Sequence, residues 1–130
     1  MAVRPGFENL NCLVADDDNA MRALVRRLLL RSGVRSVDEA EDGETALRHV
    51  ETASPAINLI LCDWHMEGMS GLHLFNELKA RKREIPFIML TGSVDLESIV
   101  QAKRAGICAY LIKPVSSRDL EAKVAAMMNA

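Results

Sequence analysis

The sequence predicts an α/β fold in which helices cover both faces of a parallel sheet. Short apolar runs alternate with amphipathic helical stripes five times along the chain. The runs are almost continuously apolar, which is typical of strands buried on both faces. Strands that alternate with helices require right-handed crossovers, so each helix is expected to pack on the sheet.

The first strand–helix unit shows this pattern most clearly. The apolar run at residues 10–15 stops at three consecutive aspartates, residues 16–18. Apolar residues then recur at positions 21, 24, 25, 28 and 29, the spacing of an amphipathic helix. Gly33 predicts the end of this helix. Arginines at 22, 26, 27 and 31 fall on its other faces and are interpreted as its solvated side.

The remaining four units repeat the same order of elements. A weaker strand is predicted at 34–40, and further strands at 57–62, 86–90 and 109–112. Helices are predicted after Asp42-Gly43, from Ser70-Gly71, over 95–105, and after the Ser116–Asp119 capping box. Together these elements predict a five-stranded, doubly wound, flavodoxin-like sheet with strand order 2-1-3-4-5.

Composition and charge narrow the function classes. The 16 Lys and Arg residues nearly balance 18 Asp and Glu residues, which argues against bulk electrostatic binding to nucleic acid or to a membrane. No apolar stretch reaches the roughly 18 residues of a membrane span, and the N-terminus carries no apolar signal core. The three cysteines are interpreted as reduced, buried thiols. We therefore expect a cytoplasmic monomer with one domain over residues 1–130, structured from about 8 to 128, and no effector domain.

Polar side chains follow the predicted strands at the points where the strands end. They come from four separate segments and are Asp16, Asp17, Asp63, Thr91 and Lys113. The carboxyl ends of parallel strands form one edge of a sheet, where ligands bind. Three carboxylates there repel one another, and one ammonium cannot balance them. A hard divalent cation such as Mg²⁺ would compensate this charge, and such a site suits a phosphoryl group.

The segments that carry these residues resemble the motifs of bacterial response-regulator receiver domains. The resemblance covers about residues 8–130 and rests on five segments in the order and spacing of that family. The segments are residues 13–22, 39–47, 61–66 with Gly71, 90–92 and 110–114.

The resemblance implies two-component phosphorelay signalling, by a signalling domain and not by a classical enzyme. Asp63 would accept a phosphoryl group from a histidine kinase or a phosphotransfer protein, and the phosphorylated form would act on a downstream protein target. Asp17 and Asp63 would bind Mg²⁺ together with the main-chain carbonyl of His65, and Asp16 would act on the metal through water.

The same resemblance implies roles for residues on the later strands. Thr91 would donate a hydrogen bond to the phosphoryl group, and Lys113 would pair with it. Thr91 and Tyr110 would form a conformational switch toward the face around the fourth helix. The Lys113-Pro114 peptide bond would be cis.

The chain also departs from the family pattern. Glu67 stands where the family commonly has proline, and Asp18 adds a third consecutive carboxylate, which we interpret as a helix N-cap. His65 and Ser93 occupy the two variable positions that, in this family, tune how fast the phosphoryl group is lost.

Two other function classes remain as alternatives. A haloacid-dehalogenase-like phosphatase would use Asp16 as its nucleophile, but Ala20 stands where that motif has threonine or valine, and no acidic pair follows the fourth strand. A phosphorylation-independent interaction module would keep the fold without the chemistry. The complete set of polar residues at the strand ends weighs against this second alternative.

Overall fold

Five parallel strands form the centre of the structure, a computed structural model that describes residues 4–92, 96–107 and 109–128. The strands are β1 (Asn11–Ala15), β2 (Ser36–Ala40), β3 (Leu59–Asp63), β4 (Phe87–Thr91) and β5 (Ala109–Ile112). They are hydrogen-bonded in the order β2-β1-β3-β4-β5. The predicted fold class and strand order are confirmed.

Within the part of the chain that the structure describes, five α-helices cover the two faces of this sheet. They are α1 (Asn19–Ser32), α2 (Gly43–Thr52), α3 (Gly71–Ala80), α4 (Leu96–Ala105) and α5 (Ser117–Met128). Helices α1 and α5 pack on one face, and α2, α3 and α4 supply buried side chains to the other. Among the described residues, no helix combines the length and the apolar character needed to cross a bilayer.

The central strands are buried on both faces, as their continuous apolar runs predicted. Every residue of β1, β3 and β4 is buried. Side chains alternate between the two cores, so that Ile60 contributes to the α2–α4 side and Leu61 to the α1–α5 side. Strand β2 lies at the edge and is only partly buried, which explains its weaker apolar pattern.

Two cysteines lie inside these cores as free thiols. Cys12 and Cys62 are fully buried, as predicted, whereas Cys108 lies outside the described residues. Burial raises the pKa of the Cys12 thiol to about 12. Burial also raises the pKa of the Cys62 thiol, and the neighbouring carboxylates of Asp63 and Asp16 raise it further.

The helix ends use the residues that the sequence indicated. Asp18 is the N-cap of α1 and accepts hydrogen bonds from the N–H groups of Ala20 and Met21. Asp42 caps α2 by accepting from the N–H of Thr45. Gly33 ends α1 with φ 100°, a left-handed conformation that glycine adopts without a steric penalty. Local sequence chemistry thus sets these boundaries.

Helix α3 begins in close contact with the end of β3. A Cβ atom on Gly71 would lie 2.7 Å from the main-chain oxygen of Asp63 and 3.1 Å from the Cα of Trp64. Both neighbours are backbone atoms, which cannot turn aside as a flexible side chain can. Only glycine permits this approach.

We expect Gly71→Ala to lower the free energy of unfolding by about 1–3 kcal/mol because the added methyl group overpacks this contact. Urea denaturation measures the effect. Gly92→Ala is the matched control, since a Cβ on Gly92 would meet none of the described atoms within 4 Å. An unfolding free energy for Gly71→Ala equal to that of the control would contradict the prediction.

Candidate functional site

Three carboxylates meet at the carboxyl edge of the sheet. Asp16 and Asp17 directly follow β1, and Asp63 is the last residue of β3. One oxygen from each of the three lies within 4.8 Å of the others. Asp16 and Asp63 are buried, whereas Asp17 is exposed. The parallel order β1-β3 therefore brings together residues that are distant in sequence, as predicted.

Lys113 lies between two of these carboxylates. Its Nζ is 2.9 Å from Oδ2 of Asp16 and 3.5 Å from Oδ1 of Asp63. Its main-chain N–H donates to the Thr91 carbonyl at 2.7 Å, which fixes the lysine beside the end of β4. Burial lowers the pKa of Lys113, but Asp16 and Asp63 outweigh this effect and raise the pKa above its ordinary value. The ammonium therefore stays charged.

Asp63 bears its charge at a net cost in free energy. Burial raises the pKa of its carboxyl, and the charges of Asp16 and Asp17 raise it further. The Lys113 ammonium and the N–H of His65, which is 3.4 Å from Oδ1 of Asp63, oppose this rise without cancelling it. An additional cation at this position would stabilise the ionised carboxylate.

One buried oxygen in the cluster lacks a hydrogen-bond donor. Oδ1 of Asp16 accepts from the N–H of Asp18 at 2.9 Å, but Oδ2 accepts no well-aligned hydrogen bond from any described residue. Its neighbour is the Lys113 ammonium, as an ion pair. Three carboxylates against one ammonium, with one buried oxygen whose neighbour is that ammonium alone among the described residues, fit a hard divalent cation such as Mg²⁺, which prefers oxygen ligands.

The other predicted site residues lie at or near this edge. Thr91 is buried at the end of β4. His65 follows β3 and is exposed, and its N–H faces Asp63. Tyr110 lies on β5, half-buried, and packs against the core on the α2–α4 side. Ser93 lies outside the described residues. The Lys113-Pro114 peptide bond is cis, as the resemblance implied.

The interpretation of the α1 arginines as a solvated surface is wrong for Arg22. Its side chain is 15% exposed, and its Nη1 donates to the main-chain oxygen of Asp16 at 2.7 Å. Helical periodicity places Arg22 off the apolar stripe, so that pattern alone cannot separate it from the exposed arginines. Its place in the first turn of α1, next to the acidic residues, is the one sequence signal that indicates this contact.

A doubly wound sheet with an acidic cluster and a lysine at its carboxyl edge is the arrangement expected of a domain that handles a phosphoryl group. The family model of the response regulator receiver domain matches residues 12–125. The chain belongs to this family. It is a signalling domain that acts in two-component phosphorelay signalling, in which an aspartate carries the phosphoryl group. Membership implies interaction with histidine kinases or phosphotransfer proteins and with downstream targets.

Several relatives match over nearly their whole length. The chain is 32% identical over 119 residues to the chemotaxis protein CheY-3 of Vibrio cholerae, covering 90% of each chain. It is 31% identical over 117 residues to the chemotaxis protein CheY of Pseudomonas aeruginosa, covering 88% of this chain and 93% of the relative.

Solved structures agree with this assignment. The CheY-like response regulator receiver domain protein from Methanospirillum hungatei superimposes with a TM-score of 0.83 at 30% identity, covering 92% of this chain and 94% of that one. Chemotaxis protein CheY4 of Vibrio cholerae gives a TM-score of 0.83 at 25% identity, covering 91% of this chain and 98% of that one.

In metal-free buffer containing EDTA at pH 7, we expect Asp63→Asn to raise the free energy of unfolding by on the order of 1 kcal/mol, because the neutral amide avoids the burial cost and the like-charge repulsion that the ionised carboxylate bears. Because the folded-state pKa of Asp63 is raised, the folded protein holds more protons than the unfolded chain between about pH 4, the ordinary pKa, and the raised folded-state pKa. The free energy of unfolding of the wild type therefore falls as the pH rises through this window and stays lower above the folded-state pKa. The advantage of the variant should vanish near pH 3.

Urea denaturation across this pH range measures the effect. Asp119→Asn is the control because Asp119 is exposed in the first turn of α5, where a negative charge is favourable. It should give no stabilisation. Destabilisation by Asp63→Asn at pH 7 would contradict the net cost assigned to the ionised Asp63 carboxylate.

Proposed function

We propose that Asp63 is the aspartate that accepts the phosphoryl group. The observation that supports this most strongly is its position. Carboxylate oxygens of Asp16 and Asp17 lie within 4.8 Å of one of its oxygens, and the Nζ of Lys113 is 3.5 Å from its Oδ1. Asp63 ends β3, the central strand of the sheet. On one side, the segment after β1 carries the other two carboxylates. On the other side, Thr91 ends β4 and Lys113 follows β5.

The reaction is an in-line transfer to a carboxylate oxygen. An oxygen of Asp63 forms a bond to phosphorus while the bond from phosphorus to the donor nitrogen of a phosphohistidine breaks, and the donor nitrogen keeps the electron pair. The product is an acyl phosphate on Asp63. Lys113 pairs with the added negative charge, and the Thr91 hydroxyl donates a hydrogen bond to a phosphoryl oxygen.

We propose that Asp17 and Asp63 hold Mg²⁺ directly, with the main-chain carbonyl of His65 as a third ligand and Asp16 bound through water. The excess negative charge of three clustered carboxylates beside one ammonium supports this ligand set. When bound, Mg²⁺ would neutralise charge on the transferring phosphoryl group.

The same geometry gives little support to Asp16 as the nucleophile of a phosphatase. The Asp16 side chain is fully buried, its Oδ1 accepts a main-chain hydrogen bond, and its Oδ2 faces Lys113. We therefore favour a phosphoacceptor over a phosphatase that acts through Asp16. The net charge of −2 supports a protein as the downstream partner in preference to nucleic acid.

We propose that Thr91 and Tyr110 transmit the phosphorylation state to the α4 side of the domain. In the register of β4 and β5, Thr91 pairs with Ile112 and Met89 pairs with Tyr110, so Thr91 and Tyr110 are diagonal neighbours on one face of the sheet. A shift of Thr91 toward the phosphoryl group would change the space that Tyr110 can occupy. The result is a population shift between two packings.

We expect the wild-type protein, incubated with acetyl phosphate and Mg²⁺, to gain the mass of one phosphoryl group, measured on the intact chain. Asp63→Asn should lose this gain because the acceptor oxygen is missing. Asp17→Ala should remain folded but lose both Mg²⁺ binding and most of the phosphorylation rate. Asp119→Asn, whose site on α5 is exposed, should react like wild type.

Accumulation of the phosphoryl group by Asp63→Asn at the wild-type rate would disprove the acceptor assignment. Steady release of inorganic phosphate without a phosphorylated species would favour the phosphatase. No reaction at all would favour the phosphorylation-independent module.

The switch is tested with beryllofluoride, a stable mimic of the phosphoryl group. We expect NMR shift changes at Tyr110 and along Leu96–Ala105, in addition to those around Asp63. In Thr91→Ala the changes around Asp63 should persist while those at Tyr110 shrink, because the coupling hydroxyl is absent. If Tyr110 and Leu96–Ala105 are silent in the wild type, the coupling is absent.

A further inference from the structure

The Arg22 guanidinium connects three segments around the acidic cluster. Its Nη1 donates to the main-chain oxygen of Asp16 at 2.7 Å, and its Nη2 donates to Oδ1 of Asn19 at 2.7 Å. Its Nε donates to Oε1 of Glu39 on β2 at 3.2 Å. A planar guanidinium with three hydrogen-bond partners holds the Asp16 carbonyl in a fixed orientation, which a single ammonium cannot do.

This contact completes the fixation of Asp16. Its N–H donates to the Ala40 carbonyl at 3.0 Å, its Oδ1 accepts from the N–H of Asp18, and its carbonyl accepts from Arg22. Oδ2 remains, directed at Lys113. The main chain at the end of β1 is therefore held from both sides.

Asp17 has no comparable support of its own. It is exposed, and its carboxylate forms no hydrogen bond or ion pair within the described part of the chain. Its position near the cluster therefore depends on the main chain. The carbonyl that Arg22 holds belongs to the planar peptide unit that contains the Asp17 nitrogen, so rotation of this unit would redirect the Asp17 side chain.

We propose that Arg22 is a positioning residue for divalent-cation binding. By holding the Asp16–Asp17 peptide unit, it keeps the Asp17 carboxylate directed at the cluster that contains Asp63. This inference rests on the proposed function, in which Asp17 and Asp63 hold Mg²⁺. Loss of groups that orient metal ligands typically weakens metal binding by about 10–100-fold.

Titration of the full chain with Mg²⁺, by calorimetry and by the fluorescence of the sole tryptophan, Trp64, tests the proposal. We expect Arg22→Met, which keeps the apolar stem but removes every donor, to raise the Kd at least tenfold. Arg26→Met is the matched control. The Nε of Arg26 also pairs with Oε2 of Glu39, at 3.5 Å, but among the described residues Arg26 forms no hydrogen bond with the Asp16 carbonyl. The Kd of Arg26→Met for Mg²⁺ should stay within twofold of the wild-type value.

Two further measurements separate positioning from general destabilisation. Asp42→Ala removes the N-cap of α2 at a cost of about 1 kcal/mol and should leave the Kd unchanged. The acetyl phosphate rate of Arg22→Met should fall at low Mg²⁺ and recover to within about twofold of wild type once Mg²⁺ is saturating. If Arg22→Met does not fold, Arg22→Lys replaces it, with an expected rise in Kd of at least about threefold because one ammonium cannot reproduce the planar guanidinium.

A Kd for Arg22→Met within twofold of wild type would overturn the proposal, as would an equal loss of affinity in Arg26→Met. A wild-type protein that binds no Mg²⁺ would overturn the proposed metal site itself. That failure is read from the wild type alone, so the two failures are distinguishable.

Discussion

The repulsion among three carboxylates around one ammonium governs the chemistry of this domain. The fold holds one carboxylate oxygen from each of Asp16, Asp17 and Asp63 within 4.8 Å of the others, although their charges oppose that approach. Lys113 offsets part of the cost and Asp18 contributes a main-chain donor, but burial, together with the charges of Asp16 and Asp17, keeps the pKa of Asp63 raised. A site with this imbalance gains stability from an added cation. With a cation present, its negative charge no longer opposes the approach of an anionic phosphoryl group.

The sheet supplies the rigidity that this arrangement requires. Strands β1, β3 and β4 are buried on both faces, so their carboxyl ends cannot relax away from one another without opening two cores. The contact of Gly71 with the Asp63 main chain fixes the start of α3 against the end of β3. The unfavourable charge cluster therefore persists because apolar burial elsewhere stabilises the fold that contains it.

Much of the fold could be predicted from the sequence because it depends on local patterns. The apolar runs indicated the central strands, and Asp18, Asp42 and Gly33 marked the helix ends through chemistry confined to neighbouring residues. The meeting of the acidic residues could also be predicted, because the carboxyl ends of parallel strands lie at one edge of a sheet. Arg22 and Gly71 could not be predicted in this way. Each acts through a contact with a main-chain atom of another segment, and neither periodicity nor spacing encodes which atom that is.

The two buried thiols bear on how the domain responds to its chemical surroundings. Cys62 directly precedes Asp63 in the chain, yet it is fully buried and its pKa is raised, and the pKa of Cys12 is raised to about 12. The thiolate is the form that reacts with oxidants and electrophiles, and at neutral pH these side chains are almost entirely protonated. Peroxide or an alkylating agent therefore finds no reactive sulfur at either position. Among the described cysteines, the one next to Asp63 therefore stays in the unreactive thiol form and adds no charge to the acidic edge.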